Sequence, residues 1–295
     1  MTVDQALEAY FKVLAAKSRH VDHYRQIAKL RISSAIGRKR VDRLTKTDVE
    51  TWLAGLVRED DDDPDAMRRS QDTANRTLTI LKAALNAAFA DEANQIPTDA
   101  AWRRVRPFQK VARARQVDLD VTEVRTLIAK AAKLDKALAT LLEAAYLTGA
   151  RMGELAGVSV RDLDAVRNTL RVDGKTGPRI VTLTNEAAIF LKRQAANRLP
   201  EAPLLPDSAG ARWIRAPHRD IKRSAALAEI SADTCVYSLR HAHASRAIEA
   251  GMPLSLLAEN LGTSLLMLQR NYAHVLARTR RDVVQQTGPK LRRVK

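Results

Sequence analysis

The chain has 295 residues, with 50 lysines and arginines against 34 aspartates and glutamates, so its formal net charge at pH 7 is +16. Cys235 is the single cysteine, which excludes an internal disulfide and a cysteine-based metal centre. The basic residues are spread along the whole chain. This distribution favours an extended polyanion such as nucleic acid as the partner, although a merely basic protein surface would give the same count.

The sequence predicts a cytoplasmic protein that does not enter a membrane. The longest apolar run, 138–147, is too short for a membrane span and contains Glu143. The first residues lack the charged-then-apolar order of a secretion signal. A single cysteine agrees with a reducing compartment.

In chain order, residues 1–98 have the apolar spacing of helices and predict a small helical domain. Thr2 is expected to cap the first helix, and the second helix carries Leu30 among its apolar residues. Thr47 has a glutamate three positions on, which is the spacing of a capping box at the start of a third helix. A long helix is expected from about Ser70.

Residues 99–116 are basic and interrupted by Pro107, which predicts a linker between two domains. The composition fits a solvated charge run and equally a segment that lies against a DNA backbone. In the second case the expected DNA contacts are Arg103, Arg104, Arg106 and Lys110, and Arg113 and Arg115 follow in the same segment.

Residues 117–276 predict a second, mixed domain. Thr122 is expected to cap its first helix, and a second helix, from about 134 to 147, should stop at Gly149. A short helix spans 151–157. Over 169–172 and 180–183 the spacing of apolar residues changes from the helical period to a period of two residues, which predicts a β-hairpin. The remainder has the helical spacing again. The expected fold class is mainly α with a small β-sheet.

Four short segments of this second domain, in this order, carry residues suited to phosphate chemistry. Arg151 lies in Leu-Thr-Gly-Ala-Arg-Met-Gly-Glu-Leu, and Lys175 lies in the hairpin segment Gly-Lys-Thr-Gly. Arg240 lies in Leu-Arg-His, and Tyr272, which follows it by 32 residues, lies in Asn-Tyr-Ala-His-Val. Together these segments resemble the catalytic domain of the tyrosine recombinases, the phage integrase family. Residues 1–115 resemble, more weakly, the helical core-DNA-binding domain of these enzymes.

The resemblance implies a chemistry that these residue types can perform. Two guanidiniums, Arg151 and Arg240, can hold the non-bridging oxygens of a phosphodiester in bidentate fashion. Tyr272 would attack the phosphorus and give a 3′-phosphotyrosine. The two arginines that bind the phosphate should also favour the phenolate form of Tyr272. Lys175 would give a proton to the leaving 5′-oxygen. Glu154 would orient an arginine or a neighbouring side chain without contacting the phosphate itself.

Two positions depart from the family pattern. The family usually has histidine three residues before the second arginine, where this chain has Tyr237, and histidine or tryptophan after Leu-Gly, where it has Thr263. Both replacements keep a hydroxyl that can hydrogen-bond a phosphate, so we expect them in the catalytic set, although tyrosine is a weaker general base than histidine. His241 is expected in a supporting role. It is also the alternative group for the proton transfer, although its side chain is expected to turn elsewhere on the helix.

The resemblance also implies partners. These are double-stranded DNA at a core attachment site, three further copies of the chain in a tetramer on two duplexes, and an accessory DNA-bending or directionality factor whose need the sequence leaves open. No metal and no cofactor are implied. Residues 277–295 form a basic tail, which is either a segment exchanged between protomers, anchored by Val283 and Val284, or a frayed terminus.

The resemblance therefore predicts a site-specific DNA recombinase, a phage or mobile-element integrase that acts through a Holliday junction at the nucleoid of a bacterial cell. Three other functions stay open. The first is a dimer-resolving recombinase of the same family. The second is a DNA-binding protein that keeps the fold without catalysis, which Tyr237 and Thr263 favour. The third is a topoisomerase.

Overall fold

The computed structural model describes residues 1–18, 21–58, 63, 65–111, 117–174 and 177–287, without the side chains of 281–283, 286 and 287. The chain divides into an N-terminal unit, Met1–Arg113, and a C-terminal unit, Ala114–Lys295. Among the described residues, no helix is long and apolar enough to cross a membrane.

The N-terminal unit is helical, as predicted. Its helices are α1 (Val3–Ala15), α2 (Val21–Ala28), α3 (Ser34–Ile36), α4 (Lys46–Ala54), α5 (Ala66–Ala90) and α6 (Ala100–Arg103). The Thr2 hydroxyl accepts a hydrogen bond from the Gln5 amide at 3.3 Å, and the Gln5 side chain accepts one from the Thr2 amide at 2.8 Å. This reciprocal cap confirms the expected start of α1.

Two local predictions in this unit are wrong. The helix α4 is capped by Thr45 rather than Thr47, because Asp48 supplies the returning carboxylate at 3.0 Å from the Thr45 amide. Leu30 is 67% exposed. It lies in a π-helical turn, Lys29–Ser33, whose wider spacing rotates the side chains away from the register of α2.

The first part of the predicted linker is bound along α5 and is not a separate connection. Two hydrogen bonds hold its first residues. The Trp102 indole donates to Asn86 at 2.7 Å, and Lys82 donates to the carbonyl of residue 105 at 2.7 Å. Asn75 then pairs with both backbone groups of Phe108, at 2.8 and 2.9 Å. We call residues 102–111 the strap. Its Trp102, Val105 and Phe108 side chains pack in the core of the N-terminal unit, and the division between the units falls after it.

The C-terminal unit combines nine helices and one sheet in the part that the structure describes. Its helices are α7 (Val121–Leu134), α8 (Lys136–Thr148), α9 (Met152–Gly157), α10 (Asn185–Ala195), α11 (His218–Leu227), α12 (Val236–Glu249), α13 (Leu254–Leu261), α14 (Leu265–Asn271) and α15 (Ala273–Thr287). The strands β1 (Leu163–Asp164), β2 (Thr169–Gly174) and β3 (Gly177–Thr182) form one antiparallel sheet in the order β1-β2-β3. The mainly α fold with a small sheet is therefore confirmed, with β1, only two residues long, as an addition.

The apolar helix α8 lies at the centre of the larger core of this unit. Leu138, Leu141 and Leu142 are fully buried along it, and α7, α10 and α12 pack around it. The helix ends where predicted, at Gly149, whose φ of 63° is a left-handed conformation that glycine adopts without strain. The predicted cap of α7 is wrong by two residues, because Asp120 and Glu123 cap each other at 2.8 Å.

A second, smaller apolar cluster joins α12, α13, α14 and α15. Its buried members include Ile248, Leu257, Leu268 and Val275, and the ring of Tyr272 is one of them. This cluster fixes the tyrosine at the junction of α14 and α15, next to the middle of α12.

Candidate active site

Three arginines from different elements donate hydrogen bonds to consecutive carbonyls at the C-terminal end of α13. We call these carbonyls, of Asn260, Leu261 and Gly262, the α13 carbonyl cluster. Arg179 donates to the first at 3.1 Å, Arg240 to the second at 2.8 Å and Arg151 to the third at 2.8 Å. The last carbonyls of a helix have no partner inside the helix and carry its negative partial charge, so they suit cations.

Glu154 joins two of these arginines to each other. Its carboxylate accepts hydrogen bonds from Arg151 Nη1 at 2.9 Å and from Arg179 at 2.5 and 2.8 Å. The side chain is 1% exposed, and burial alone would raise the pKa of the carboxyl group. Hydrogen bonds from Arg179 and Arg151 outweigh that effect, so the pKa of Glu154 lies below its ordinary value. The carboxylate therefore holds Arg151 and Arg179 at fixed positions relative to each other.

Arg240 is held from two sides in a buried position. Besides the bond to the α13 carbonyl cluster, its Nη1 donates to the carbonyl of Gly149 at 2.7 Å. The residue is 4% exposed, and burial followed by the charge of Arg151 lowers the pKa of its guanidinium. Each guanidinium has five N–H donors, so Arg151 and Arg240 both keep donors beyond these contacts. Two such cations close together form a site for an oxyanion.

Tyr272 lies in the smaller apolar cluster of α12 to α15 and contacts a histidine. Its hydroxyl is 2.8 Å from Nδ1 of His241, and both residues are buried, at 5% and 8% exposure. The expectation that the His241 side chain turns elsewhere is therefore wrong, because Tyr272 at the start of α15 lies against the face of α12 that carries His241. Burial raises the pKa of Tyr272 above its ordinary value, and the neighbouring Arg240 lowers it by less, so the phenol is neutral in the protein without DNA.

The two residues that depart from the family pattern also lie near this site. Tyr237 is one turn before His241 on α12 and is 50% exposed. Its ring meets the imidazole edge-on, with centroids 4.7 Å apart. Thr263 directly follows the α13 carbonyl cluster and is half-buried, and its amide donates to the carbonyl of Ala258 at 3.0 Å.

Sequence reasoning did not single out Arg179 or Asn260. The amide side chain of Asn260 pairs with both backbone groups of Thr182, at 2.7 and 3.1 Å, and so fixes the end of α13 to β3. An arginine in the middle of an alternating strand, Gly-Pro-Arg-Ile-Val-Thr, was the available signal for Arg179. Nothing in the sequence marks a backbone carbonyl as an acceptor, so the convergence of the arginines could not be foreseen.

Several predicted residues lie elsewhere or outside the described part of the chain. Arg103, Arg104, Arg106 and Lys110 are all exposed on the N-terminal unit. Arg103 forms an exposed ion pair with Asp99 at 3.4 Å. Lys175, Arg113, Arg115 and the side chain of Val283 are outside the described residues.

The comparisons with known proteins agree with this geometry. A model of the phage integrase family matches residues 118–278, which hold the whole arginine and tyrosine cluster. The tyrosine recombinase XerC of Pelobacter propionicus is 33% identical over 160 residues, which are 52% of each chain. XerC of Thermodesulfovibrio yellowstonii is 28% identical over 223 residues, 70% of this chain and 72% of that protein. The chain spans about half the length of the first curated relatives it matches.

Solved structures with low sequence identity share the fold. The Tn1549 transposon integrase in complex with transposon right-end DNA has a TM-score of 0.71 at 18% identity and covers 98% of this chain and 100% of its own. A lambda integrase dimer bound to a core site has a TM-score of 0.72 at 19% identity, over 90% and 97% of the two chains. Because the family model spans more than half of the sequence and the site within it, the chain belongs to the phage integrase family.

Proposed function

We propose that this protein is a site-specific DNA recombinase that cleaves and rejoins DNA through a 3′-phosphotyrosine. The observation that carries the proposal is the placement of Tyr272 near Arg240, which shares the end of one helix with Arg151. The arginines would hold the scissile phosphate, whose negative charge increases in the transition state. The tyrosine would attack it, and the energy of the broken bond would be kept in the phosphotyrosyl ester.

Other predicted residues complete the proposed site. Lys175 would protonate the leaving 5′-oxygen, and Thr263 and Tyr237 would donate hydrogen bonds near the phosphate. Glu154 would keep Arg151 in place. On the N-terminal unit, the exposed cations of the strap would contact the phosphate backbone of a core site, so affinity should fall steeply with salt.

The proposal includes an assembly on two duplexes. A lambda integrase structure of the same fold is described as a tetramer bound to a Holliday junction. We propose the same intermediate for this chain, in a phage or mobile-element integrase of a bacterial cytoplasm. The curated relatives are named XerC and XerD recombinases, which supports dimer resolution as the second candidate.

A covalent-trapping assay tests the reaction. Wild-type protein and Tyr272→Phe are incubated, without metal, with nicked duplexes from the ends of the element that encodes the chain, and with duplexes from the dimer-resolution site of its host chromosome. Denaturing gels should show a protein–DNA adduct with the wild type alone. An adduct on the element ends favours integration, and an adduct on the chromosomal site favours dimer resolution.

Two outcomes would replace the proposal. Tight site-specific binding with no adduct on either set would assign the chain to non-catalytic DNA binding, the reading that Tyr237 and Thr263 favour. Relaxation of a supercoiled plasmid that lacks any target site would instead assign it to a topoisomerase.

A further inference from the structure

We propose that His241 is the catalytic base that takes the proton from the Tyr272 hydroxyl during attack on the phosphate, and that Tyr237 positions the imidazole ring. The inference rests on the proposed function and names a proton acceptor at the same site. In the roles expected from the sequence, Tyr237 is catalytic, and His241 supports the site and is only the alternative group for the proton transfer.

The contact geometry carries the inference. The hydroxyl oxygen of Tyr272 lies 2.8 Å from Nδ1 of His241, which is the distance at which a general base takes a proton. Both side chains are buried, so bulk water has little access to this proton. The ring of Tyr237 meets the imidazole edge-on, at an angle of 84°, from one helical turn away. That contact limits rotation of the imidazole and keeps Nδ1 directed at the hydroxyl.

The electrostatic surroundings keep the Tyr272 hydroxyl protonated and keep His241 able to accept that proton. Tyr272 holds its proton tightly, because burial raises its pKa. Burial and then the charge of Arg240 lower the pKa of His241, so the ring is neutral near pH 7, with Nδ1 open to accept when the proton is on Nε2. Tyr237 cannot replace it as a base, since a neutral phenol accepts protons poorly.

The protonated histidine that results is stabilised by the nearby Asp118. Asp118 lines the cleft that contains His241, Tyr272 and His274, and its carboxylate favours the charged ring. Arg240 and His274 oppose the charge. The bound phosphate would add a second anion beside Arg240 and so reduce that opposition.

The proposed step balances without any further reactant. A bond forms between the Tyr272 oxygen and phosphorus, and the bond from phosphorus to the 5′-oxygen breaks. The tyrosine proton goes to Nδ1 of His241, and a separate proton goes from Lys175 to the leaving oxygen. Religation reverses both transfers, so the protein returns to its starting protonation.

Substrates with a 5′-bridging sulfur separate the two proton transfers, because a thiolate leaves without protonation. His241→Asn keeps a hydrogen-bond acceptor but cannot take a proton, and it should slow adduct formation about 100-fold on both oxygen and sulfur DNA. Lys175→Ala should slow the reaction on oxygen DNA only. His218→Asn changes an exposed histidine of the same unit and should match the wild type.

Three further readouts distinguish a base from a structural residue. Core-duplex binding and thermal unfolding of His241→Asn should stay close to wild type. Added imidazole should partly restore His241→Ala. On sulfur DNA, the wild-type rate should rise with pH through a single ionisation below the ordinary histidine range and then level off, because His241 must be neutral to act.

If His241→Asn forms the adduct at the wild-type rate or faster, the inference is overturned. His241 would then only hold the Tyr272 hydroxyl by a hydrogen bond in the protein without DNA. Slowing on oxygen DNA alone would also overturn it, because the residue would then act at the leaving group. In both cases the wild type still forms an adduct, so the proposed function stands. If the wild type forms no adduct, the proposed function itself fails, and this inference fails with it.

Discussion

Glu154 and Arg179 form a buried, doubly hydrogen-bonded ion pair that joins α9 to β3. The two guanidinium nitrogens of Arg179 lie 2.5 and 2.8 Å from the two carboxylate oxygens. Arg151 donates to both oxygens of the same carboxylate, through its amide and through Nη1. Arg179 therefore orients Arg151 indirectly, because both cations share one anion.

Arg179→Ala should lower the free energy of unfolding of the C-terminal unit by about 3–5 kcal/mol, since it leaves a buried carboxylate without a main partner. Urea unfolding followed by circular dichroism measures the loss. The control is Arg161→Ala, which removes a pair with Glu201 in which both side chains are more than half exposed. That change should cost less than about 1 kcal/mol. Equal losses in the two variants would show that the Glu154 pair does not stabilise the unit.

Local sequence signals predicted the elements better than they predicted the site. The cap of α1 at Thr2 and the end of α8 at Gly149 depend on neighbours within a few residues, and both predictions are confirmed. The strap could not be foreseen, because Asn75 and Phe108 meet across 33 positions of sequence. A basic segment with a proline looks the same whether it is solvated or bound along a helix.

The site shows the same division. Arg151, Arg240 and Tyr272 were found by resemblance, but Arg179 and the backbone acceptors of the arginines were not. Arg151 and Gly262 are 111 positions apart, and the acceptor is a backbone carbonyl, which every residue has. His241 was assigned to a supporting role because helical spacing alone does not say which helix will lie against its face.

The stability of the C-terminal unit should fall as the pH drops below about 6.5, the ordinary pKa of histidine. Nδ1 of His243 donates to the carbonyl of Tyr146, 2.7 Å away, and Nε2 is buried without a hydrogen-bond partner among the described residues. Burial lowers the pKa of His243, so the unfolded chain binds a proton more readily than the folded one. Stability is therefore lost from pH 6.5 down to the folded-state pKa, below which the loss levels off.

His243→Asn should make this acid-side loss smaller, because the side chain no longer titrates. His241, whose pKa is lowered in the same direction, accounts for the part that remains. Chemical unfolding between pH 5 and pH 8 measures the slope, and His218→Asn, at an exposed position, should leave it unchanged. A slope that is the same in His243→Asn and the wild type would contradict the prediction.

Arg104→Ala and Arg106→Ala should each reduce the salt dependence of DNA binding. Both residues are exposed on the strap, whose backbone is fixed along α5. Each lost phosphate contact should lower the slope of log K against log salt by about 0.9. Binding to a core duplex across a salt series measures this, with Arg167→Ala, an exposed arginine of the C-terminal unit, as the control. If the slopes equal that of the control, the strap arginines remain in solvent and do not contact the DNA phosphates.

Gly149→Ala should damage both stability and adduct formation. At a φ of 63°, a side chain is strained by about 1–2 kcal/mol. The added Cβ would also lie 2.6 Å from carbon atoms of His243 and Leu261, and both neighbours belong to elements that hold the site. Because the Gly149 carbonyl accepts a hydrogen bond from Arg240, any shift that relieves the clash moves the cation that is proposed to bind the phosphate.

Gly210→Ala separates the two causes. Gly210 has a φ of 82°, and a Cβ there would meet nothing within 4 Å, so this variant carries the backbone strain alone. Unfolding of both variants in urea should give a larger loss for Gly149→Ala, and trapping assays should show normal adduct formation for Gly210→Ala only. If both variants lose the same stability and both form the adduct normally, then α12 and α13 can move apart without displacing Arg240, and the close approach at Gly149 does not position the arginine.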